Sequence, residues 1–255
     1  MVDHEPTDDG LAECYDVLNP WGPDNDFYLA LVLAADAVLD VGCGTGTLLH
    51  RAREAGHPGR LCGLDPSPGM LRRARRRTDL PIEWFAADAA AAGAPEVTGR
   101  GPGSRFDLVV MTGHAFQALT GDAEVRAALA AIRSALRDGG RFVFETRNPL
   151  VRPWERWTPE HAVEVAGPDG RTARVSHRVE LPVTGDLVRF SETFEGPMWP
   201  VPQVSRAALR FPDAAVLAGW LTAAGLAVEA QYGHWDRRPC TPDAPEIITV
   251  ARRAA

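Results

Sequence analysis

The chain contains no lysine, and all 27 of its Lys/Arg positions are arginine. Schiff-base chemistry on an enzyme lysine is therefore excluded, as is the Gly-Lys-Ser/Thr end of a nucleotide phosphate loop. Cysteine is scarce. Cys14, Cys43, Cys62 and Cys240 are scattered with no C-x-x-C pair, so neither a disulfide framework nor a zinc site is signalled. No apolar run approaches the roughly 20 residues of a membrane span. The acidic, polar start MVDHEPTDDG is no signal peptide, so a cytoplasmic location is expected. An excess of positive charge is missing too: the formal net charge is −7, which disfavours nucleic acid and anionic membrane as partners. The one basic cluster, Arg72–Arg77, reads as a solvated helix face.

What is present is a chain of 255 residues, 45% hydrophobic and 24% charged, enough for one large domain with a small insert. Its organising stretch is Val38–Leu48, VLDVGCGTGTL. Val38-Leu39-Asp40-Val41 suits a buried parallel strand. Gly42, Gly44 and Gly46 follow at every second position, and Thr47-Leu48-Leu49 starts a helix. Strand, glycine turn and helix in that order bring backbone close to a ligand at a helix N-terminus. A dinucleotide fingerprint would need glycine at position 47, which is Thr. The pattern D-x-G-x-G-x-G resembles the S-adenosylmethionine (SAM) site of class I methyltransferases.

Further along, Leu11–Leu18 and Asp26–Ala35 are helix candidates, the second capped by Asp24 or Asn25. Ala37–Val41, Arg60–Asp65, Pro81–Ala86, Phe106–Met111 and Arg141–Glu145 read as strands. The helical stretches between them are Thr47–Ala55, a segment from Pro68 through Arg77 with Ser67 as cap, and Ala123–Leu136. Residues 93–104, rich in glycine and proline, read as a surface loop. The rhythm then breaks. Val163–Ala166, Thr172–Leu181, Leu187–Phe194 and Gln203–Arg210 are strand-like, joined by Gly167-Pro168-Asp169-Gly170 and Thr184-Gly185-Asp186, as in an antiparallel meander. Asp213–Ala224, Leu226–Tyr232 and Ile247–Ala251 resume the α/β pattern. The expected fold is α/β: a Rossmann-like seven-stranded, mostly parallel sheet with the last strand antiparallel, plus an antiparallel β lid. The expected division is 1–149 for the N-terminal helices and SAM-binding core, 150–211 for the lid, and 212–255 for completion of the core.

Asp40 at the first strand's tip is expected to order the glycine loop and meet a ligand amino group. Gly42 and Gly44 leave space for the ligand, while Gly46 can serve close helix–strand packing. Asp65 ends the second strand, where a carboxylate accepts two ribose hydroxyls. Met70 offers a soft wall to adenine or a place in the core. The order Asp40, Asp65, Asp88 at successive strand ends resembles class I methyltransferases over residues 36–147, together with Phe106-Asp107 and Asp138-Gly139-Gly140-Arg141. That resemblance implies Asp88 at the adenine amino group and a neighbouring backbone N–H at a ring nitrogen. Cys43, Pro66, Ala87, Ala89, Met111 and Thr112 complete the expected cofactor set.

On the acceptor side, His114 follows the fourth strand and is the first candidate for a base, with packing or helix capping as its other reading. Glu145, Arg147 and Asn148 follow the fifth strand, and Arg147 suits a substrate carboxylate. Tyr15 and Phe27 are placed to close over the cofactor, and Trp154, Trp157 and Trp199 to form an aromatic rim or the insert's own core. His161, His177 and Asp236 are held in reserve. The sequence reads as a SAM-dependent methyltransferase acting on nitrogen or oxygen of a small molecule, with no metal. A protein acceptor and a non-catalytic SAM-binding protein stay open as alternatives; a nicotinamide dehydrogenase is disfavoured by Thr47 and Asp88.

Overall fold

The computed structural model describes residues 15–77, 79–99, 105–166, 172–197 and 201–254. β1 (Ala37–Val41) lies inside a seven-stranded sheet with β2 (Arg60–Asp65), β3 (Glu83–Ala86), β4 (Phe106–Met111), β5 (Leu136–Arg147), β10 (Leu226–Tyr232) and β11 (Glu246–Arg253). The spatial order is β10-β11-β5-β4-β1-β2-β3. β1 to β5 pair in parallel, and β11 runs antiparallel to both β5 and β10, as the sequence pattern predicts.

Alternation along the strands makes two cores. Leu39, Val41, Leu64, Val109, Phe142 and Phe144 face one side. There they meet Val125, Leu129 and Ile132 of α5 (Asp122–Ala135) and Leu217 and Leu221 of α6 (Ala214–Ala223). Val38, Leu61, Leu108, Val110, Val143 and Ile248 face the other. They meet Phe27, Tyr28 and Val32 of α1 (Pro23–Leu33) and Leu48, Leu49 and Ala52 of α2 (Thr47–Glu54). With helices on both faces, the carboxyl ends of the parallel strands are left to loops, and those loops form the ligand edge together with the amino end of β11.

Several boundaries differ from the sequence reading. α1 begins at Pro23, because proline is preset for the first helical turn and Asn25 Oδ1 takes the Gly22 N–H at 2.8 Å. α3 (Pro68–Ala74) stops short of Arg77, although Ser67 caps it as expected, its Oγ accepting from Met70 N at 3.1 Å. The expected loop at 93–104 holds a one-turn helix, α4 (Pro95–Thr98), opened by Pro95; residues 100–104 lie outside the described ones. β5 begins at Leu136 rather than Arg141, its first residue pairing with Phe106 before a register shift. The arginine cluster is more than a solvated face. Arg73 pairs with Asp16 at 3.0 Å, Arg77 with Glu54 at 2.7 Å, and Arg75 donates to Trp84 O at 3.0 Å.

Between β5 and α6, the strands β6 (Val163–Ala166), β7 (Thr172–Val179), β8 (Leu187–Glu195) and β9 (Gln203–Arg210) form a separate antiparallel sheet in sequential order. Trp157 packs on Phe190 and Trp154 on Phe211, at ring separations of 4.9 and 4.6 Å. Gln117, in the loop after β4, donates to Arg210 O at 2.7 Å, and Arg210 pairs with Asp186 at 2.7 Å and Asp122 at 2.6 Å. The bonds from Gln117 and to Asp122 dock the second sheet on the ligand edge of the first. Phe144, fully buried and stacked between Phe116 and Phe142 at 4.4 and 4.6 Å, makes the fold testable. Phe144→Ala should cost about 3–5 kcal/mol in urea unfolding; a loss under about 1 kcal/mol would contradict this packing.

Candidate functional site

Beyond Val41 the chain turns through Gly42, Gly44 and Gly46, all in the left-handed region at φ +75, +55 and +76°. Side-chain-bearing residues rarely adopt it. Gly46 also lies against the Trp84 indole, where a Cβ would overlap the ring, so it serves helix–strand packing and caps α2. The N–H groups of Gly42 and Cys43 both donate to Leu64 O, at 2.7 and 3.1 Å. Asp65 Oδ2 accepts from Gly44 N and Oδ1 from Ser67 N, each at 2.8 Å. Asp65 thus ties the glycine turn to the start of α3. Cys43 is buried, and burial pushes its thiol well above the usual range, which makes it inert.

A cavity of about 350 Å³ opens beside this turn, walled by Tyr15, Asp40, Gly42, Cys43, Thr112, His114 and Arg147 among others. Asp40 is 1% exposed and its Oδ1 has no hydrogen-bond partner. Burial first, then the charges of Asp65 and Glu145, push its carboxyl up to about 8. A buried carboxyl oxygen left without a partner is costly, and a cationic ligand group beside it removes that cost. Tyr15 lies over the turn, its ring 3.6 Å from the place a Gly44 Cβ would occupy and its hydroxyl equally close to that of Gly113. Asp16 anchors this cover by accepting from Thr45 and from Arg73.

His114 sits on the cavity wall with φ +60°, a left-handed conformation that costs a non-glycine residue about 1–3 kcal/mol. Two contacts hold it there: its N–H donates to Glu145 Oε1 at 2.7 Å, and its Nε2 is 3.0 Å from Glu246 Oε2. Glu145 is fully buried and also takes the Tyr28 hydroxyl on Oε2. Glu145 therefore supports the site from beneath instead of lining an acceptor pocket as expected. Asn148 is likewise structural, its amide donating to Thr241 O, Pro242 O and Ala244 O. Arg147 does line the cavity. Its Nη1 donates to Gln117 Oε1 at 3.1 Å, Trp157 lies 5.4 Å beneath the guanidinium, and no carboxylate pairs with it among the described residues. Burial holds its proton affinity below the usual arginine value.

Other expected residues are placed elsewhere. Asp65, Pro66, Ala87, Asp88 and Ala89, at or just after the ends of β2 and β3, Met70 in α3, and Gly44 and Gly46 in the turn are not among the walls of this cavity. Asp88 caps the next turn by accepting from Ala90 N at 3.0 Å, and its side chain is otherwise exposed. Met111 is core. Phe27 packs on Tyr28 and Trp235 in the second core, so it does not close over the cavity. Trp154 belongs to a separate groove with Trp157 and Leu181, and Trp199 lies outside the described residues. His177 pairs with Glu192, His161 with Thr158, and Asp236 with Arg238, none of them on the cavity wall. The sequence reading missed Tyr28, Gln117 and Glu246. Only Glu246, an acid opening an apolar strand, left a signal there.

Residues 38–140 match the model of a family described as methyltransferase domain. The chain is 32% identical over 117 residues to the malonyl-[acyl-carrier protein] O-methyltransferase of Anoxybacillus flavithermus, a match covering 46% of this chain and 40% of that protein. This chain thus spans less than half the length of that curated relative. The structure superposes on an S-adenosylmethionine-dependent methyltransferase from Clostridium acetobutylicum with a TM-score of 0.73. The identity is 15%, and 96% of this chain and 98% of that one are covered. It also superposes on SAM-bound CalS10, an amino pentose methyltransferase from Micromonospora echinaspora, with a TM-score of 0.66, 24% identity, and 98% and 100% covered. Residues 38–140 thus match a methyltransferase domain, and the chain as a whole has the fold of the SAM-dependent methyltransferase from Clostridium acetobutylicum.

The residues present fit SAM. Asp40 presents a buried carboxyl oxygen, Oδ1, with no hydrogen-bond partner for the ligand's ammonium, and Gly42 and Cys43 of the glycine turn line the same cavity. Asp65→Ala should weaken binding of S-adenosylhomocysteine (SAH) by about 1.5–3 kcal/mol; wild-type affinity by calorimetry would sink the ribose role. Asp40 supplies a pH signature. With its carboxyl near 8 in the free protein, it is mostly protonated at neutral pH and ionises beside an ammonium. Calorimetry in buffers of different ionisation enthalpy should then show about one proton released at pH 7, and affinity falling as pH drops below 8. Binding with no proton exchange would remove Asp40 from the ammonium site.

Proposed function

We propose that this chain transfers a methyl group from SAM to a nitrogen or oxygen of a small-molecule acceptor. The observation that carries the reading is that one cavity joins a buried acid just before the glycine turn, Asp40, whose Oδ1 has no hydrogen-bond partner, to a side chain able to take a proton, His114. The similar proteins support it in outline: one is named for O-methylation of a malonyl group, another for an amino pentose.

When bound, SAM supplies an electrophilic methyl on a sulfonium. The chain's contribution is alignment, which can supply roughly 7–11 kcal/mol, and removal of the acceptor's proton by His114. Arg147 presents Nε and Nη2 free of hydrogen bonds among the described residues. That pair is the fork that grips a carboxylate, so an acidic acceptor suits the cavity, and Tyr15 covers it from the N-terminal side. Trp154 stands apart and would meet only the far end of a long acceptor; Trp199 completes our acceptor set. We read 1–149 and 212–255 as the catalytic core and 150–211 as a lid over it.

Incubation with SAM and a set of small amines, alcohols and carboxylic acids should yield SAH with at least one of them; no turnover across the set would favour a non-catalytic SAM-binding protein. With a working acceptor, His114→Ala should lower turnover by roughly 10²–10⁴ with SAM affinity nearly unchanged. Near-wild-type rates across pH 6–9 would leave alignment alone as the mechanism. If 150–211 is a lid, its hydrogen exchange should slow when SAH and acceptor are bound together. Uniform exchange with and without them would count against closure.

A further inference from the structure

Two glutamates from neighbouring strands grip His114. In the β5–β11 register Ile248 faces Glu145 and Glu246 faces Arg147, so both carboxylates rise from one face of the sheet edge. Glu145 takes the main-chain N–H of His114, while Glu246 meets its ring at Nε2, 3.0 Å away. Both members of the second pair are largely shielded, with side chains 20% and 14% exposed. The main-chain bond fixes where the residue sits, and the ring bond fixes how the imidazole is turned.

We propose that Glu246 is a positioning residue that sets the tautomer of His114 for proton removal from the acceptor. An ionised carboxylate only accepts, so Nε2 must carry the hydrogen it shares with Glu246. Neutral imidazole has a single ring hydrogen, which leaves the lone pair on Nδ1. Nδ1 has no hydrogen-bond partner among the described residues, and His114 lines the cavity that also holds Asp40. A base oriented by an acid on its other nitrogen is the arrangement that activates nucleophiles elsewhere. The inference rests on the methyltransferase reading. The acceptor's N–H or O–H proton passes to Nδ1 as its electron pair forms the bond to the methyl carbon. The carbon–sulfur pair returns to sulfur and cancels the sulfonium charge. The imidazolium then stands beside Glu246 until its proton goes to water.

The charged and titratable groups around the ring come from several elements. Glu246 on β11 and Glu145 on β5 are the acids bonded to His114, and Asp40 on β1 and Arg147 on β5 line the same cavity. Tyr28 on α1 and Tyr15 are neutral, since burial raises both phenols. Removing the Glu246 charge should therefore lower the proton affinity of the ring.

Nitrogen-15 NMR of labelled histidine in the full chain with SAH bound tests this without any acceptor, His114→Phe giving the assignment. Above its titration midpoint, His114 should be the Nε2–H tautomer. Glu246→Gln should lower its proton affinity about tenfold or more and mix the tautomers, whereas Glu246→Asp should keep the wild-type pattern. An Nδ1–H tautomer in the wild type, or an unchanged midpoint in Glu246→Gln, overturns the proposal. Should that variant not fold, the wild-type tautomer alone decides. Calorimetry with SAH on the same sample separates the two levels. SAH binding with the wrong tautomer removes only the role of Glu246, whereas failure to bind SAH removes the cofactor reading and this inference with it.

Discussion

Asp65 accepts the amide hydrogens of Gly44 and Ser67, and through those two bonds the turn after β1 is fixed to the start of α3. The rest of the site depends on that join. It holds three alternate left-handed glycines in one arrangement, with Gly42 on the cavity wall and Gly44 beneath Tyr15. It also keeps the Asp65 charge close enough to Asp40 to help raise that carboxyl. One buried carboxylate both shapes the loop and sets the electrostatics beside it.

Acid outweighs base at the cavity: among the described residues Asp16, Asp24 and Asp40 line it with Arg147, and Glu145 and Glu246 stand behind its His114. Such a field costs the free protein stability, because buried carboxyls with raised proton affinity hold protons that the unfolded chain releases between about pH 4 and 8. A ligand bearing a sulfonium and an ammonium offsets that cost. Structure and proposed cofactor are thus complementary in charge as well as in shape.

Much of this was legible in the sequence. The parallel order of β1 to β5 and the antiparallel last strand follow from apolar runs alternating with helical stretches. The glycine turn follows from Gly42, Gly44 and Gly46. Boundaries were less legible where two signals competed: Pro23 opens α1 before the polar residues that resemble its cap, and β5 starts ahead of its Gly139-Gly140 pair. The site's outer shell was hidden for a different reason. Tyr28, Glu145 and Glu246 are separated by 117 and 132 positions from the groups they meet, and nothing local in a sequence encodes such a meeting. Asn148 and Glu145 looked like pocket residues because they follow a strand. Their hydrogen bonds to backbone and to Tyr28 show that they build the pocket instead.

The central claim is that the glycine turn with Asp40 and Asp65 is a site for SAM and not for a dinucleotide. Titration of the purified chain with SAH and with NAD, in one buffer by calorimetry, tests it most directly. The structure predicts saturable binding of about one SAH per chain and no measurable heat from NAD. Saturable binding of NAD with none of SAH would contradict it.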